Sequence, residues 1–238
     1  MKGYSRMSKV LVCGDLHCPA TRKGYLEFCQ DLYEEWDCDK VVFIGDVVDW
    51  HAISFWAHEP NCPGPKDEYE LAKEEVKKWS DSFPSAVVCI GNHDERPARL
   101  AKTVHIPEFM LVPYASLWNT PDWTWDYEFS FDDVVYRHKG PARSGGIHPA
   151  WNLKNKIRQS VVIGHHHTIA GVKWDATARN RVFAADVGCG IDEKAWQFVY
   201  GKDNPIRPFL SALVVIDGMP YLEALRCGKG EPYHDSKF

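Results

Sequence analysis

Several features that would mark a secreted, membrane or nucleic-acid-coating protein are missing from this 238-residue sequence. Its eight cysteines form no Cys-x-x-Cys pair, so we expect reduced, mostly buried thiols and a cytoplasmic protein. No apolar run approaches the roughly 20 residues that cross a bilayer, and residues 1–9 lack the apolar stretch of a signal peptide. A net charge of −5 and a pI near 6.1 argue against a broad basic surface for long duplex nucleic acid.

Internal repeats and low-complexity tracts are also missing, and no stretch has the composition of a linker between domains. Hydrophobic residues make up 45% of the chain, which is enough to bury one sizeable core. We therefore expect a single domain over residues 1–238.

What the sequence does contain is one repeated pattern, a short apolar run that ends in polar side chains. The runs at 9–13, 41–44, 87–90, 134–138 and 161–163 are predicted to be buried strands. Amphipathic helices are predicted between the early strands, at 25–36 and 66–79. In chain order, the polar residues at the strand ends are Asp15, His17, Asp46, Asn92, His93, His138, His165 and His167.

These strand ends supply a set of metal ligands. With His93 set aside, they offer three carboxyl or amide oxygens and four imidazoles, enough for two metal ions that share one carboxylate. Two ions about 3.5–4 Å apart can clamp a phosphate and generate hydroxide from a bridging water near neutral pH. The pattern therefore favours phosphate ester hydrolysis.

Five blocks carry a resemblance to a known family. Their order matches the signature DxH, GDxxD, GNH(D/E), a lone His and GHxH, and the sequence here resembles the calcineurin-like metallophosphoesterase superfamily over about residues 9–190. The resemblance implies an α/β fold, a four-layer αββα sandwich of two mixed sheets flanked by helices, with the dimetal site at the carboxyl edges of the strands. The blocks are Asp15-Leu16-His17, Gly45-Asp46-Val47-Val48-Asp49, Gly91-Asn92-His93-Asp94, His138 and Gly164-His165-His166-His167.

The resemblance also implies ligand roles. One metal would be held by Asp15, His17, Asp46 and His167, and the other by Asp46, Asn92, His138 and His165, with Asp46 as the bridge. Mixed oxygen and imidazole ligands fit manganese, iron, zinc or nickel, and we expect two Mn²⁺ ions.

One ligand departs from the family pattern. The fourth block usually has glycine directly after the histidine, whereas here Lys139 separates His138 from Gly140. His105 and His148 are alternatives, but neither ends an apolar strand, so His138 is the predicted ligand.

Other residues near the motifs receive supporting roles. His93 resembles the family's proton donor, which would protonate the leaving group while a metal-bound hydroxide attacks, and Asp94 is predicted to orient it. Asp49 is predicted to support a ligating histidine. Basic residues that could bind a substrate phosphate are Arg96, Arg99, Lys139 and Arg143.

Three functions remain open at this stage. A phosphodiesterase or nuclease acting on nucleotides or short single strands is favoured, because the third motif ends in Asp94 and no large capping domain is present; the chain is also similar to exonuclease-like phosphoesterases encoded by bacteriophages. A phosphomonoesterase is the alternative, although protein phosphatases have GDxVDRG, where this chain has Trp50 and His51. A non-catalytic scaffold is the third, and the presence of His93 argues against it.

The tryptophans at 118, 123 and 125 could stack bases, but packing at a sheet edge is commoner.

Overall fold

The computed structural model describes residues 8–55, 61–140, 148–178, 180–195, 197–198 and 206–226. The helices are α1 (Tyr25–Glu35), α2 (Pro65–Ser82), α3 (Arg96–Thr103), α4 (Tyr114–Leu117) and α5 (Pro149–Ile157), with short 3-10 helices at His51–Ile53 and Glu108–Met110. The strands are β1 (Lys9–Cys13), β2 (Lys40–Phe43), β3 (Ala86–Cys89), β4 (Trp123–Asp126), β5 (Glu128–Phe131), β6 (Val134–Arg137), β7 (Ser160–Ile163), β8 (Ala170–Ala176), β9 (Arg181–Val187), β10 (Ser211–Ile216) and β11 (Met219–Ala224).

The strands form two mixed sheets. The first has six strands in the order β11-β10-β1-β2-β3-β4, in which β1 to β4 are parallel and the hairpin β10–β11 is antiparallel. The second has five strands in the order β5-β6-β7-β9-β8, with a parallel centre of β6, β7 and β9. In both sheets the central strands are therefore parallel, and their carboxyl ends lie at one edge.

The two sheets pack face to face, with helices on the outer faces. Alternate residues of β1, β2 and β6 to β10, such as Val12, Val42 and Val162, form the buried layer between the sheets. The outer face of the first sheet is covered by α1 and α2, which bury Tyr25 and Trp79. The outer face of the second sheet is covered by α5. The predicted four-layer αββα sandwich is confirmed.

The tryptophan-rich segment forms β4, at one edge of the first sheet. Trp123 is buried, with its ring centroid 4.5 Å from that of Phe43. Trp125 stacks on Tyr114 with centroids 5.1 Å apart. These tryptophans pack a sheet edge and are not presented as a base-stacking surface.

The structure bears on the predictions about membrane-spanning segments and cysteines. Within the described residues, no helix is long and apolar enough to span a membrane. Six cysteines in those ranges are buried free thiols, namely Cys13, Cys18, Cys29, Cys38, Cys89 and Cys189.

The Tyr25 hydroxyl ties α1 to the two strands beside the predicted metal site. It accepts a hydrogen bond from the Gly14 amide at 2.9 Å and donates one to the Ser211 carbonyl at 2.7 Å. Tyr25 is fully buried, so no water can replace these bonds. The hydroxyl therefore satisfies the backbone just where β1 leads into the DxH motif.

We predict that Tyr25→Phe lowers the free energy of unfolding by about 1–3 kcal/mol, because it leaves a buried amide and a buried carbonyl unpaired. Urea denaturation measures the change. Tyr221→Phe is the matched control, since Tyr221 is 40% exposed, and it should have little effect. Equal stability of Tyr25→Phe and wild type would contradict the prediction.

Candidate metal centre

The polar strand ends of both sheets meet at one place. Asp15 and His17 follow β1, Asp46 follows β2, and the first two are fully buried while Asp46 is 1% exposed. The second sheet contributes histidines after β6 and β7. Within the described residues, all seven predicted metal ligands lie at this junction: Asp15, His17, Asp46, Asn92, His138, His165 and His167.

A first cluster contains Asp15, His17, Asp46 and His167, whose ligand atoms all lie within 4.8 Å of one another. Nε2 of His167 is 3.1 Å from Oδ2 of Asp15 and 3.1 Å from Nε2 of His17. Nε2 of His17 is 3.6 Å from Oδ2 of Asp46. This cluster coincides with the first ligand set expected from the sequence.

A second cluster contains Asp46, His138 and His165. Nε2 of His138 is 3.1 Å from Oδ2 of Asp46 and 3.2 Å from Oδ1 of Asn92, which places the amide beside this cluster. Oδ2 of Asp46 therefore lies between an imidazole of each cluster.

The imidazoles are oriented as metal ligands. Nδ1 of His17 donates to Oδ1 of Asp49 at 2.6 Å, and Nδ1 of His138 donates to the Ile44 carbonyl at 3.1 Å. Both rings therefore turn Nε2 toward the carboxylates, an arrangement typical of metal-bound histidine. Oδ1 of Asp15 is buried without a hydrogen-bond partner. Two divalent cations would satisfy these inward-facing atoms, so the residues fit the metals implied by the sequence.

Backbone groups also stabilise the two buried carboxylates. The His93 amide donates to Oδ1 of Asp46 at 2.7 Å, and the His165 amide donates to Oδ2 of Asp15 at 2.9 Å. A Cβ on Gly91 would collide with Asp46, and one on Gly164 would collide with Oδ1 of Asp15. The glycines of the GN and GH motifs are thus required by the close approach of the carboxylates.

The buried charges set the protonation states of the histidines. Two of them are neutral, as metal ligands must be, and His138 must first lose a proton. Burial lowers the pKa of His17 and of His165 to about 4, so both are neutral at pH 7. Burial opposes protonation of His138, but Asp46 and Asp15 raise its pKa to about 9. Burial also opposes ionisation of Asp46, yet His138 and His93 hold its pKa well below the ordinary value. Metal binding at the second cluster would therefore displace a proton from His138.

His93 lies beside the first cluster and is oriented by Asp49. Nδ1 of His93 is 3.0 Å from Oδ1 of Asp49 and 3.0 Å from its backbone carbonyl. Asp94 is fully buried, and it accepts hydrogen bonds from the amides of Val48 at 3.1 Å and Gly91 at 2.8 Å. The orienting partner of His93 is therefore Asp49 and not Asp94, because the Asp94 carboxylate is turned toward backbone amides.

The basic residues predicted to bind phosphate are in different environments. Arg96 donates to the carbonyls of Asp49 at 2.6 Å and Trp50 at 3.0 Å, and its second nitrogen is 3.2 Å from Nε2 of His93. Arg99 and Lys139 are exposed. Arg143 lies outside the described residues. Arg96 is thus the one of the four with a described contact to His93.

The other histidines and one missed residue complete the site. His105 and His148 are exposed, while His138 is 2% exposed and lies among the ligands. Phe198 is not among the predicted site residues. Its ring centroid lies 5.3 Å from that of His17 and 6.0 Å from that of His167. It forms an apolar wall beside the first cluster. Because it belongs to no motif and no periodic element, the sequence contained no signal for it.

The geometry agrees with the result of comparing the sequence with protein families. The profile described as calcineurin-like phosphoesterase matches residues 8–202. The chain belongs to the calcineurin-like phosphoesterase family. A member of this family is a metal-dependent phosphoester hydrolase, and the two donor clusters indicate a dimetal site.

Two solved structures found by comparison are distant in sequence. Vacuolar Protein Sorting 29 from Cryptosporidium parvum is 12% identical with a TM-score of 0.42, and the match covers 94% of this chain and all of that one. Yfce, a phosphoesterase from E. coli, is 16% identical with a TM-score of 0.40, and the match covers 92% of this chain and all of that one. The search of curated proteins found no match.

We predict that Asp49→Ala weakens metal binding about 10–100-fold, because His17 loses the acceptor that fixes its ring and tautomer. Titration of the metal-free protein with Mn²⁺ in a calorimeter measures the affinity. Asp31→Ala removes an exposed carboxylate from α1 and should bind metal as wild type does. Unchanged affinity in a folded Asp49→Ala protein would show that Asp49 does not support the ligand.

Proposed function

We propose that this phosphoester hydrolase cleaves phosphodiesters in nucleotides or short single-stranded nucleic acid, with two Mn²⁺ ions as cofactors. The observation that carries the proposal is the arrangement of His93, whose Nδ1 is anchored by Asp49 and whose Nε2 faces the Arg96 guanidinium next to the donor clusters. A proton donor and a cation thus lie beside the place where the phosphate would bind.

The metal ligands are assigned as the two clusters suggest. Asp15, His17, Asp46 and His167 would hold one ion, and Asp46, Asn92, His138 and His165 the other. When bound, two such ions lower the pKa of a water and neutralise charge on the phosphate. The ligands provide four imidazoles and hard oxygens, a mixture that suits Mn²⁺ better than Mg²⁺ or Ca²⁺.

His93 would supply the proton for the leaving oxygen from Nε2. Its Nδ1 is committed to Asp49, so Nε2 is the ring nitrogen that can exchange a proton with substrate. Burial opposes the protonated form, but the charges of Asp46 and Asp49 raise the pKa of His93 above its ordinary value. A raised pKa increases the fraction of His93 that is protonated at a given pH, as a general acid requires.

A diester fits this site better than a monoester because of charge. Near neutral pH a phosphodiester carries one negative charge and a monoester close to two. Among the basic residues predicted to bind phosphate, Arg96 is the one in contact with His93, and part of its guanidinium already donates to two carbonyls. Beyond the proposed metal ions and His93, the protein thus adds one partly engaged arginine at this point, which gives little to balance the second charge of a monoester.

A protein phosphatase is disfavoured by Trp50, which occupies the arginine position of GDxVDRG. Its ring packs inward, 5.3 Å from Trp118 and stacked 6.1 Å from Tyr69. The position is therefore used for packing and provides no cation for a phosphorylated protein. The six buried free thiols support action in a reducing compartment such as the cytoplasm.

The substrate class is tested by assaying the Mn²⁺-loaded protein on bis-p-nitrophenyl phosphate, p-nitrophenyl phosphate, a cyclic nucleotide and a labelled single-stranded oligonucleotide. We expect diester hydrolysis to exceed monoester hydrolysis, and we expect activity on at least one of the nucleotide substrates. Activity on the monoester alone would overturn the diesterase proposal. Metal-loaded protein inactive on all four substrates would favour the scaffold alternative.

We predict that His93→Ala lowers kcat about 10²–10⁴-fold on a dinucleotide while metal content stays the same. The loss should be smaller on bis-p-nitrophenyl phosphate, because p-nitrophenolate leaves without much help from an acid, whereas a sugar oxygen needs a proton. The kcat values for the two substrates measure the difference.

His105→Ala is the control for the histidine substitution, since His105 is exposed on the segment after α3. It should leave both rates unchanged. An equal loss of kcat on the two substrates would assign His93 to phosphate binding and not to proton transfer.

A further inference from the structure

We propose that α3 and the neighbouring Phe55 form a track that binds the single-stranded part of a nucleic-acid substrate and leads it away from His93. The α3 track is defined as Phe55, Arg96, Arg99 and Lys102. This inference rests on the proposed function and extends it, because it names the part of the substrate that lies beyond the scissile phosphate.

Charge is the first observation behind the track. Arg96, Arg99 and Lys102 are spaced at i, i+3 and i+6 on α3, and the helix contains no acidic residue between Arg96 and Thr103. Residues at this spacing share one side of a helix, and six residues span about 9 Å along its axis. The three cations therefore make this helix face locally basic, although the whole protein carries a net charge of −5. A row of cations matches the repeated charges of a phosphate backbone.

The position of α3 connects this row to the site. The helix begins three residues after His93, and the Arg96 guanidinium lies 3.2 Å from Nε2 of that histidine. The more distant Arg99 and Lys102 are both exposed. The row therefore starts at the group proposed to protonate the leaving oxygen and continues along the surface.

Aromatic exposure is the second, independent observation. Phe55 is 52% exposed, and the Arg99 guanidinium lies over its ring at 5.2 Å from the centroid. Single-strand binding sites combine cations along the backbone with aromatic or guanidinium faces on which bases stack. An exposed phenylalanine paired with an arginine provides both surfaces at one point.

The acidic neighbour of the row is engaged elsewhere. Glu95 directly precedes α3, and it accepts a hydrogen bond from the Tyr127 hydroxyl at 2.8 Å. Beyond the last turn of α3, Phe109 is 86% exposed and Met110 is 65% exposed. These two exposed apolar side chains offer further surface for unstacked bases. The track therefore leads from His93 along α3 toward Phe109.

The test uses Mn²⁺-loaded protein and two measurements. The first is the ratio of kcat/KM for a single-stranded 12-mer to kcat/KM for bis-p-nitrophenyl phosphate. The second is the Kd of a fluorescent, nuclease-resistant phosphorothioate 12-mer, measured by anisotropy at several salt concentrations. The variants are Arg99→Ala with Lys102→Ala, and Phe55→Ala alone.

A matched control removes the same charge from another helix. Lys77 and Lys78 are exposed in the second half of α2, which runs back toward the start of β3 and away from the metal centre. The double change Lys77→Ala with Lys78→Ala should leave the kcat/KM ratio and the salt dependence as in wild type.

We expect the Arg99 and Lys102 double variant to lower the kcat/KM ratio about tenfold and to reduce the slope of log Kd against log salt by about 1.4, roughly 0.7 per lost phosphate contact. Phe55→Ala should raise Kd about tenfold with little change in slope, because stacking is not ionic.

An unchanged ratio and slope in the double variant, or equal losses in the lysine control, would overturn the track. The proposed function fails separately, if wild type hydrolyses no diester. The track would also be overturned if wild type cleaved bis-p-nitrophenyl phosphate and dinucleotides but hydrolysed the 12-mer with no higher kcat/KM than a dinucleotide. The proposed function would then stay intact.

Discussion

The site depends on the burial of two carboxylates, Asp15 and Asp46, where the two sheets meet. Neither residue has more than 1% of its surface exposed, and burying a negative charge is costly unless other groups compensate for it. Backbone amides donate to one oxygen of each, and imidazoles lie 3.1 Å from Oδ2 of both carboxylates. The compensation is still incomplete, because Oδ1 of Asp15 has no hydrogen-bond partner. The fold thus concentrates negative charge at a place that cations would stabilise.

This arrangement constrains the backbone around it. Gly91 and Gly164 lie so close to Asp46 and Asp15 that a side chain at either position would occupy the same space as a carboxylate. His17, Asp46 and His165 have φ angles of 51°, 48° and 71°, in the left-handed region that side chains seldom adopt. Such conformations persist when the surrounding structure enforces them, and they concentrate at functional sites. The motifs therefore supply the small residues that let the backbone approach the carboxylates, in addition to the proposed ligands.

The strands and their polar ends could be predicted because the patterns that mark them are local, whereas the four-layer arrangement was implied by the family resemblance. Apolar runs that end in glycine and polar residues mark strands and their carboxyl edges, and parallel strands bring those edges together. Predictions failed where a contact depended on side-chain direction. Asp94 follows His93 in the chain, so a pairing was expected, yet its carboxylate points to the amides of Val48 and Gly91. Phe198 reaches the site from a segment with no motif, and only the folded chain places it there.

Asp94 and Asp49 together explain how the proton donor and the metal ligands are held in fixed relation. Oδ1 of Asp49 contacts Nδ1 of His17 at 2.6 Å and Nδ1 of His93 at 3.0 Å, so one oxygen orients both a proposed ligand and the proposed acid. Asp94 joins the Val48 amide, next to Asp49, to the Gly91 amide at the end of β3. The second and third motifs are thereby locked together through buried hydrogen bonds. Since a general acid works only within hydrogen-bond reach of the leaving oxygen, this coupling lets the strands that position the metal ligands also position the proton.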